Sequence, residues 1–314
     1  MARTFFLYPS NFITYKECPR KFLWGRGFGD IDVGGGPGRP KPKPEQSSSH
    51  DAIMGLSLAK GMELLYNNQM YKNPATLVSD LIGIVTKEFN FLVSTKYINW
   101  SVAPPKDEML QTCINGIVGY LKTMKSQKLL GPYAVAELDL KVWIDTYTPV
   151  AGRPDVVIRR DDTGLMILDG KNARTPGKYT DPDQLMWYAM CFYLVHKVVP
   201  DKLAFVYFRY PDGNPPKDYK PSKVWNGLVE EPCSIESIKS LAVRAKETYK
   251  AMTGGLFDPT PSPSSCRFCD YNSVCDSKHI PVPRKKKEDV SLPVDFSNGP
   301  AEFGFSPIEN LVRK

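Results

Sequence analysis

Asp155, Asp169 and Lys171 have the types and the spacing for metal-assisted hydrolysis. Leu165-Met166-Ile167-Leu168 runs into Asp169-Gly170-Lys171, and the apolar run predicts a strand from Leu165 to Asn172. Side chains alternate along a strand, so Asp169 and Lys171 share one face, while Gly170 points away and leaves its carbonyl near the same point. Asp155 follows Gly152-Arg153-Pro154 in the preceding strand, and an antiparallel hairpin would set it beside Asp169. Paired carboxylates hold Mg2+ or Mn2+, which supplies a hydroxide-like nucleophile at neutral pH and a counter-charge for a crowded phosphate, the two needs of phosphodiester cleavage. Taken alone, an Asp-x-Lys pair on a strand is more often a solvated ion pair.

Other residues have both a chemical and a structural reading. Gln184 and Tyr188 lie one helical turn apart, but Gln184 also stands third after Asp181, where a capping box would place it, and Tyr188 could be core. Glu137 could be the polar face of its strand. His50 heads a helix, a position that capping and surface histidines also take. Cys266-x-x-Cys269-x5-Cys275 is a tight cluster that reads as a metal site. His279 stands four residues on, so Zn2+ could close a set of Cys266, Cys269, Cys275 and His279. Cys113, Cys191 and Cys233 read as core or incidental thiols.

The elements that must position these groups follow from periodicity. A short helix is predicted from Ser10 to Trp24 within residues 1–24, and residues 25–49, rich in Gly, Pro, Lys and Ser, read as a flexible loop. Residues 50–130 form a helical region, with helices expected over His50–Tyr66, Ala75–Val93 and Glu108–Leu129. Residues 131–255 then change period. Ala134 to Trp143 alternates as one half-buried strand, Pro149 to Arg159 and Lys202 to Tyr210 read as further strands, and a helix opens at Asp181-Pro182 and runs to about His196. Ser234 caps a helix to Met252. Residues 256–280 carry the cysteine cluster, and residues 281–314, with Lys285-Lys286-Lys287, read as a basic, disordered tail.

In that order, Gly152-x-x-Asp155, Asp169-Gly170-Lys171 and Gln184-x-x-x-Tyr188 resemble the three-part signature of RecB-like PD-(D/E)XK nucleases, and Glu137 resembles that family's upstream glutamate. The resemblance implies an α/β restriction-endonuclease-like core, a central mixed sheet flanked by helices, with a helical N-terminal region and a C-terminal cysteine cluster. It implies Asp155 and Asp169 as ligands of Mg2+ or Mn2+, the Gly170 carbonyl as a further one, Lys171 as the water-activating group, and Gln184 and Tyr188 as contacts to the substrate end. His50 stands where the family often carries a histidine ligand.

Ser10-x4-Tyr15-x-x-Cys18-Pro19-x-Lys21-Phe22 resembles the N-terminal motif of the family's iron-sulfur branch, which includes CRISPR-associated RecB-like exonucleases. By that likeness Cys18, Cys266, Cys269 and Cys275 hold a 4Fe-4S cluster, a structural staple across a loop of about 250 residues. The implied activity is exonucleolytic hydrolysis of single-stranded or frayed DNA ends, with a helicase, recombination or replication protein as partner and DNA repair or recombination as setting. A non-catalytic DNA-binding or assembly subunit, or a zinc-stabilised interaction protein, are the rival readings.

Composition bounds these readings without deciding among them. The formal charge of +7 over 314 residues is a modest excess, compatible with a polyanionic partner. Arg20, Lys21, Arg26, Arg39, Lys41 and Lys43, with the rings of Tyr15, Phe22, Trp24 and Trp187, suggest single-stranded DNA contacts. With 42% hydrophobic residues, the chain can bury a full core. An odd count of seven cysteines and no secretory start argue against a disulfide framework and for a cytoplasmic protein. No apolar run approaches bilayer length, and no Walker motif is present, so a helicase motor would come from a partner.

Overall fold

The computed structural model describes residues 5–26, 50–96, 98–101, 103–160, 164–173, 181–216, 225–262, 265–266, 269, 271–272, 275 and 277. The expected loop (beyond residue 26), the basic tail and His279 lie outside these residues, as do Arg39, Lys41 and Lys43.

The N-terminal motif folds as two helices, α1 (Pro9–Glu17) and α2 (Pro19–Arg26), rather than the single helix expected from Ser10 to Trp24. The break is at Cys18, which is extended at φ −164°, ψ 112°. Pro19 disfavours a helical conformation in the residue before it, yet its own fixed φ suits the first position of the next helix. Three longer helices follow, α3 (His50–Asn67), α4 (Leu77–Thr95) and α5 (Lys106–Ser126), each within a few residues of its expected span.

The alternating stretch from Ala134 to Trp143 is not one strand. It divides into β1 (Ala134–Ala136) and β2 (Leu140–Trp143) because Glu137 takes a left-handed φ of 55° and turns the chain. Alternation predicts which side chains are buried but is silent on backbone torsion. The expected strand from Pro149 to Arg159 likewise divides into β3 (Pro149–Gly152) and β4 (Val156–Arg160) around Arg153-Pro154-Asp155. Strands β2 and β3 pair with each other as a separate antiparallel ribbon.

The remaining elements are β5 (Gly164–Lys171), α6 (Pro182–His196), β6 (Lys202–Tyr207), β7 (Leu228–Glu231) and α7 (Ile235–Thr253). Strand β7, short and acidic at one end, was not expected from the sequence. The main sheet has the order β1-β4-β5-β6-β7, with β5 and β6 parallel and the other pairs antiparallel. This is the expected α/β core with a central mixed sheet flanked by helices.

Each face of the sheet has its own apolar layer. Val156, Ile158, Met166, Leu168, Ala204 and Val206 face α3, α4 and α5. Val157, Leu165, Ile167, Leu203, Phe205 and Tyr207 face α6, α7 and the ribbon. The period-two alternation of β5 therefore sends Asp169 and Lys171 to the α6 side and Gly170 to the α3 side. A Cβ at Gly170 would lie 2.8 Å from the Phe208 ring and 3.2 Å from Met62 Cε, so the absent side chain is what lets that layer close.

Among the described residues no helix is long and apolar enough to cross a membrane.

Candidate active site

The register of β4 on β5 sets Val156 opposite Leu168, so Asp155 and Asp169 fall next in line, just where the paired ladder ends. Asp155 Oδ2 accepts the Gly170 N–H at 2.7 Å. On the other strand end, the Glu137 N–H donates to the Asp155 carbonyl at 3.0 Å, bringing Glu137 to the same corner. The Glu137 carboxylate pairs with Arg153 at 3.3 Å.

Helix α6 covers this corner. Asp181 caps it by accepting from the Asp183 N–H at 2.9 Å, and Pro182 occupies its first position. Gln184 makes no capping box. Its Nε2 donates to Asp169 Oδ1 at 2.9 Å and to the Tyr188 hydroxyl at 3.0 Å, while its Oε1 accepts from Lys171 Nζ at 2.8 Å. One amide thus links the strand carboxylate, the strand lysine and the helix tyrosine. Gly152 allows the helix this close, since a Cβ there would lie 3.2 Å from the Tyr188 ring.

Lys171 Nζ stands 2.5 Å from Asp169 Oδ2 and 5.3 Å from the centre of the Phe205 ring. Yet Asp169 Oδ2, fully buried, accepts no well-directed hydrogen bond. Burial and the neighbouring Asp169 charge push the Asp155 carboxyl well above the usual carboxylate range, against the opposing pull of the Gly170 N–H and Lys171. Burial raises Asp169 as well, although Lys171 offsets part of it. Glu137 is raised by burial in spite of Arg153. Burial lifts the Tyr188 hydroxyl far out of the titrating range, so it stays a neutral hydrogen-bonding group.

Two adjacent carboxylates, Asp155 part-buried and Asp169 buried, share among the described residues the single cation Lys171 and so keep a net negative charge, and hard oxygen donors with excess negative charge are what Mg2+ and Mn2+ bind. Among the described residues no three or more His, Cys, Asp and Glu side chains already converge on one point. His50 in particular is found beside Asp51, 3.7 Å away, at the head of α3.

A family model described as PD-(D/E)XK nuclease superfamily matches residues 8–276. The chain belongs to that superfamily. Its members are nucleases that generally use Mg2+ or Mn2+, so the family points to a metal-dependent nuclease acting on nucleic acid. No curated protein matches the chain. Among solved structures it is similar to SSO0001 over 73% of this chain and 96% of that one, at 14% identity and a TM-score of 0.31, values at which the likeness carries no argument.

In this PD-(D/E)XK chain a second pocket is lined by Cys18, Cys266, Cys269 and Cys275, together with Arg20, Trp24 and others. None of the four is in a disulfide. The wall is built by packing between the chain's two ends: Tyr15 stacks edgewise on Phe22 and Phe257 and donates to the Leu256 carbonyl, and the Tyr271 hydroxyl donates to the Trp24 carbonyl at 2.8 Å.

The residues expected to contact DNA also have partners within the protein. Trp187 is fully buried, donates to the Ala151 carbonyl at 2.9 Å and packs on Phe12, so its ring is not available for stacking on a base. Tyr15 is held in the packing just described. Lys21 pairs with Glu17 at 2.9 Å, and the Arg20 guanidinium lies over the Trp24 ring at 5.7 Å. Cys113 and Cys191 are core thiols as expected, burial pushing Cys113 up to about 12.

Sequence reasoning passed over Arg153 and Asp183. Arg153 was a spacer in Gly152-x-x-Asp155, and Asp183 only part of a helix start. Asp183 receives both nitrogens of Arg244 at 2.7 and 2.8 Å and Lys16 at 2.8 Å, joining α6 to α7 and α1. A carboxylate in the first turn of a helix, with cations elsewhere, was the available signal.

Proposed function

We propose that this chain is a RecB-like DNA nuclease of the iron-sulfur type that hydrolyses single-stranded or frayed DNA ends exonucleolytically. The observation that carries the reading is the gathering of Asp155, Asp169, Lys171, Gln184 and Tyr188 into one hydrogen-bonded corner between the sheet and α6. The burial of Asp169, with Asp155 half-buried beside it, favours a strand end threaded into a recess over the side of an intact duplex.

In this reading Asp155, Asp169 and the Gly170 carbonyl hold Mg2+ or Mn2+, with Glu137 and His50 as outer candidates. The bound cation supplies an activated water and neutralises charge on the phosphate. Lys171, held at its amine by Gln184 and Asp169, orients and polarises that water. Gln184 sets the spacing between lysine and carboxylate, and the neutral Tyr188 hydroxyl fixes Gln184. Cys18, Cys266, Cys269 and Cys275 hold a 4Fe-4S cluster that fastens the N-terminal helices to the C-terminal segment, a reading supported by the shared pocket. The setting is DNA recombination, replication or repair, in the cytoplasm, with a helicase or other recombination protein supplying the strand.

The test is digestion of end-labelled single- and double-stranded DNA with Mg2+ or Mn2+, alongside Asp155→Ala and Lys171→Ala. Metal-dependent release of short products by the parent and none by the variants is expected; no degradation by the parent with either metal overturns the proposal. Anaerobically purified protein should be brown and lose bound iron in Cys18→Ala, whereas a colourless zinc protein would overturn the cluster assignment.

A further inference from the structure

A groove of about 970 Å3 runs between α1 and α6 and opens onto Gln184 and Tyr188. Its walls alternate in character. Tyr8, Pro9 and Ile13 give rings and apolar surface, Ser10 and Thr14 give hydroxyls, and Arg153 gives a cation next to the acidic corner.

The charges around the groove are not equally available. Asp181 and Asp183 are bridged by Lys16 at 2.7 and 2.8 Å, Asp183 is also held by Arg244, and Glu17 is paired with Lys21. These carboxylates are already neutralised by side chains of the protein. Arg153 differs: its side chain is 59% exposed, and its one described partner is Glu137 at 3.3 Å. A guanidinium has five N–H donors, so a single long bond leaves most of its fork for a ligand, and that fork matches a phosphate. Tyr8, at the head of α1, is 39% exposed and keeps its backbone occupied, its carbonyl accepting from Asn11 and Phe12. Its backbone is therefore fixed at the head of the helix while its partly exposed ring lines the groove.

We infer that this groove seats the nucleic-acid strand next to the scissile bond, with Arg153 binding a backbone phosphate and the Tyr8 ring stacking on a base. The inference rests on the nuclease reading above and adds where the strand runs and which residues grip it. A cation for phosphate and an aromatic ring for base are the two contacts by which single strands are held without sequence preference. The geometry assigns Glu137 a second duty: it holds Arg153 in place until the phosphate takes over the guanidinium.

The experiment is binding of a fluorescent single-stranded oligonucleotide by the full chain, followed by anisotropy in Ca2+ across a salt series, with cleavage in Mg2+ measured in parallel. Arg153→Gln should weaken binding about tenfold and reduce the slope of log K against log salt by about 0.7, the value for one phosphate contact on a single strand. Arg153→Lys should restore most of the slope. Tyr8→Ala should weaken binding about fivefold or more while Tyr8→Phe binds as the parent does, since stacking needs the ring and not the hydroxyl. Thermal midpoints within error of the parent for Arg153→Gln and Tyr8→Ala keep folding out of the comparison, and Arg153→Lys and Tyr8→Phe carry it if either unfolds. If Arg153→Gln and Tyr8→Ala bind with the parent's affinity and slope while the parent cleaves, the strand does not lie here and the nuclease reading stands. If the parent neither binds nor cleaves, both readings fall.

Discussion

Replacing Asp155 by Asn should make the metal-free protein more stable while abolishing hydrolysis. Asp155 lies across the strand pair from Asp169, and side chains so placed are about 5 Å apart. Two unit charges at ~5 Å repel by roughly 3 kcal/mol at an effective dielectric of about 20. Lys171, 2.5 Å from Asp169, offsets part of this, and a raised Asp155 carboxyl escapes more of it by binding a proton. A net relief of about 1 to 2 kcal/mol remains, or a rise of roughly 1.5 to 3 °C in thermal midpoint for a chain of this size. The amide oxygen of Asn keeps the acceptor for the Gly170 N–H, and its new NH2 group faces the Asp169 carboxylate, so the Gly170 N–H is not orphaned. The assay is thermal unfolding in EDTA and again with Mn2+: Asp155→Asn should be the more stable in EDTA, and only the parent should gain markedly from metal. The pH dependence has a definite sign. A carboxyl raised in the folded state retains its proton where the unfolded chain has lost it, so the parent should lose stability as pH rises from the ordinary carboxylate range through the raised value. That slope should flatten in Asp155→Asn. A variant less stable than the parent in EDTA at neutral pH would refute the reasoning.

Gly170→Ala should cost about 1 to 3 kcal/mol by forcing the Phe208 ring and Met62 apart, readable as a lower denaturant midpoint at unchanged m-value. Gln184→Ala should lower kcat by about a hundredfold, the scale of losing one preorganised polar group, with a smaller change in KM, because it releases Lys171 and Asp169 together. Arg244→Ala should destabilise by about 1 to 3 kcal/mol through loss of a two-pronged, charge-assisted pair. Although burial pulls Asp183 upward, Arg244 and Lys16 hold it below its usual value, so its contribution is present above the ordinary carboxylate range and lost as pH falls through the depressed value. The parent should therefore show a steeper acid limb than Arg244→Ala in thermal unfolding against pH.

Much of the corner was legible because its signals are local. The alternation that puts Asp169 and Lys171 on one face of β5 needs only the apolar run before them, and Asp181-Pro182 marks the start of α6 by itself. What was illegible was backbone torsion. Ala134 to Trp143 alternates without interruption, yet Glu137 is left-handed, a conformation that favours Gly or Asn and that no side-chain pattern reports for a glutamate. Pro154 did offer a signal for the break between β3 and β4, since a proline demotes a strand interior. Trp187 was misjudged for a different reason. Helix α6 buries Leu185, Trp187, Tyr188, Ala189, Met190, Cys191, Phe192 and Leu194, and a helix apolar on nearly all sides is a core helix whose aromatic rings are not free.

The breaks and the chemistry coincide for a physical reason. Up to Val156 and Leu168 the ladder satisfies the backbone of β4 and β5; one residue further the strands part, and the Gly170 N–H needs another acceptor. Asp155 supplies it from its side chain, so this carboxylate does the work of a strand carbonyl as well as facing the site. The two duties separate by substitution. Asp155→Asn removes charge and keeps the acceptor, whereas Asp155→Ala removes both and leaves a buried N–H unpaired, a penalty of about 1 to 3 kcal/mol. The alanine variant should therefore unfold at a lower denaturant concentration than the asparagine variant although both are inactive. Equal midpoints for the two would mean that the Gly170 N–H finds another partner and that Asp155 is held in place by the site alone.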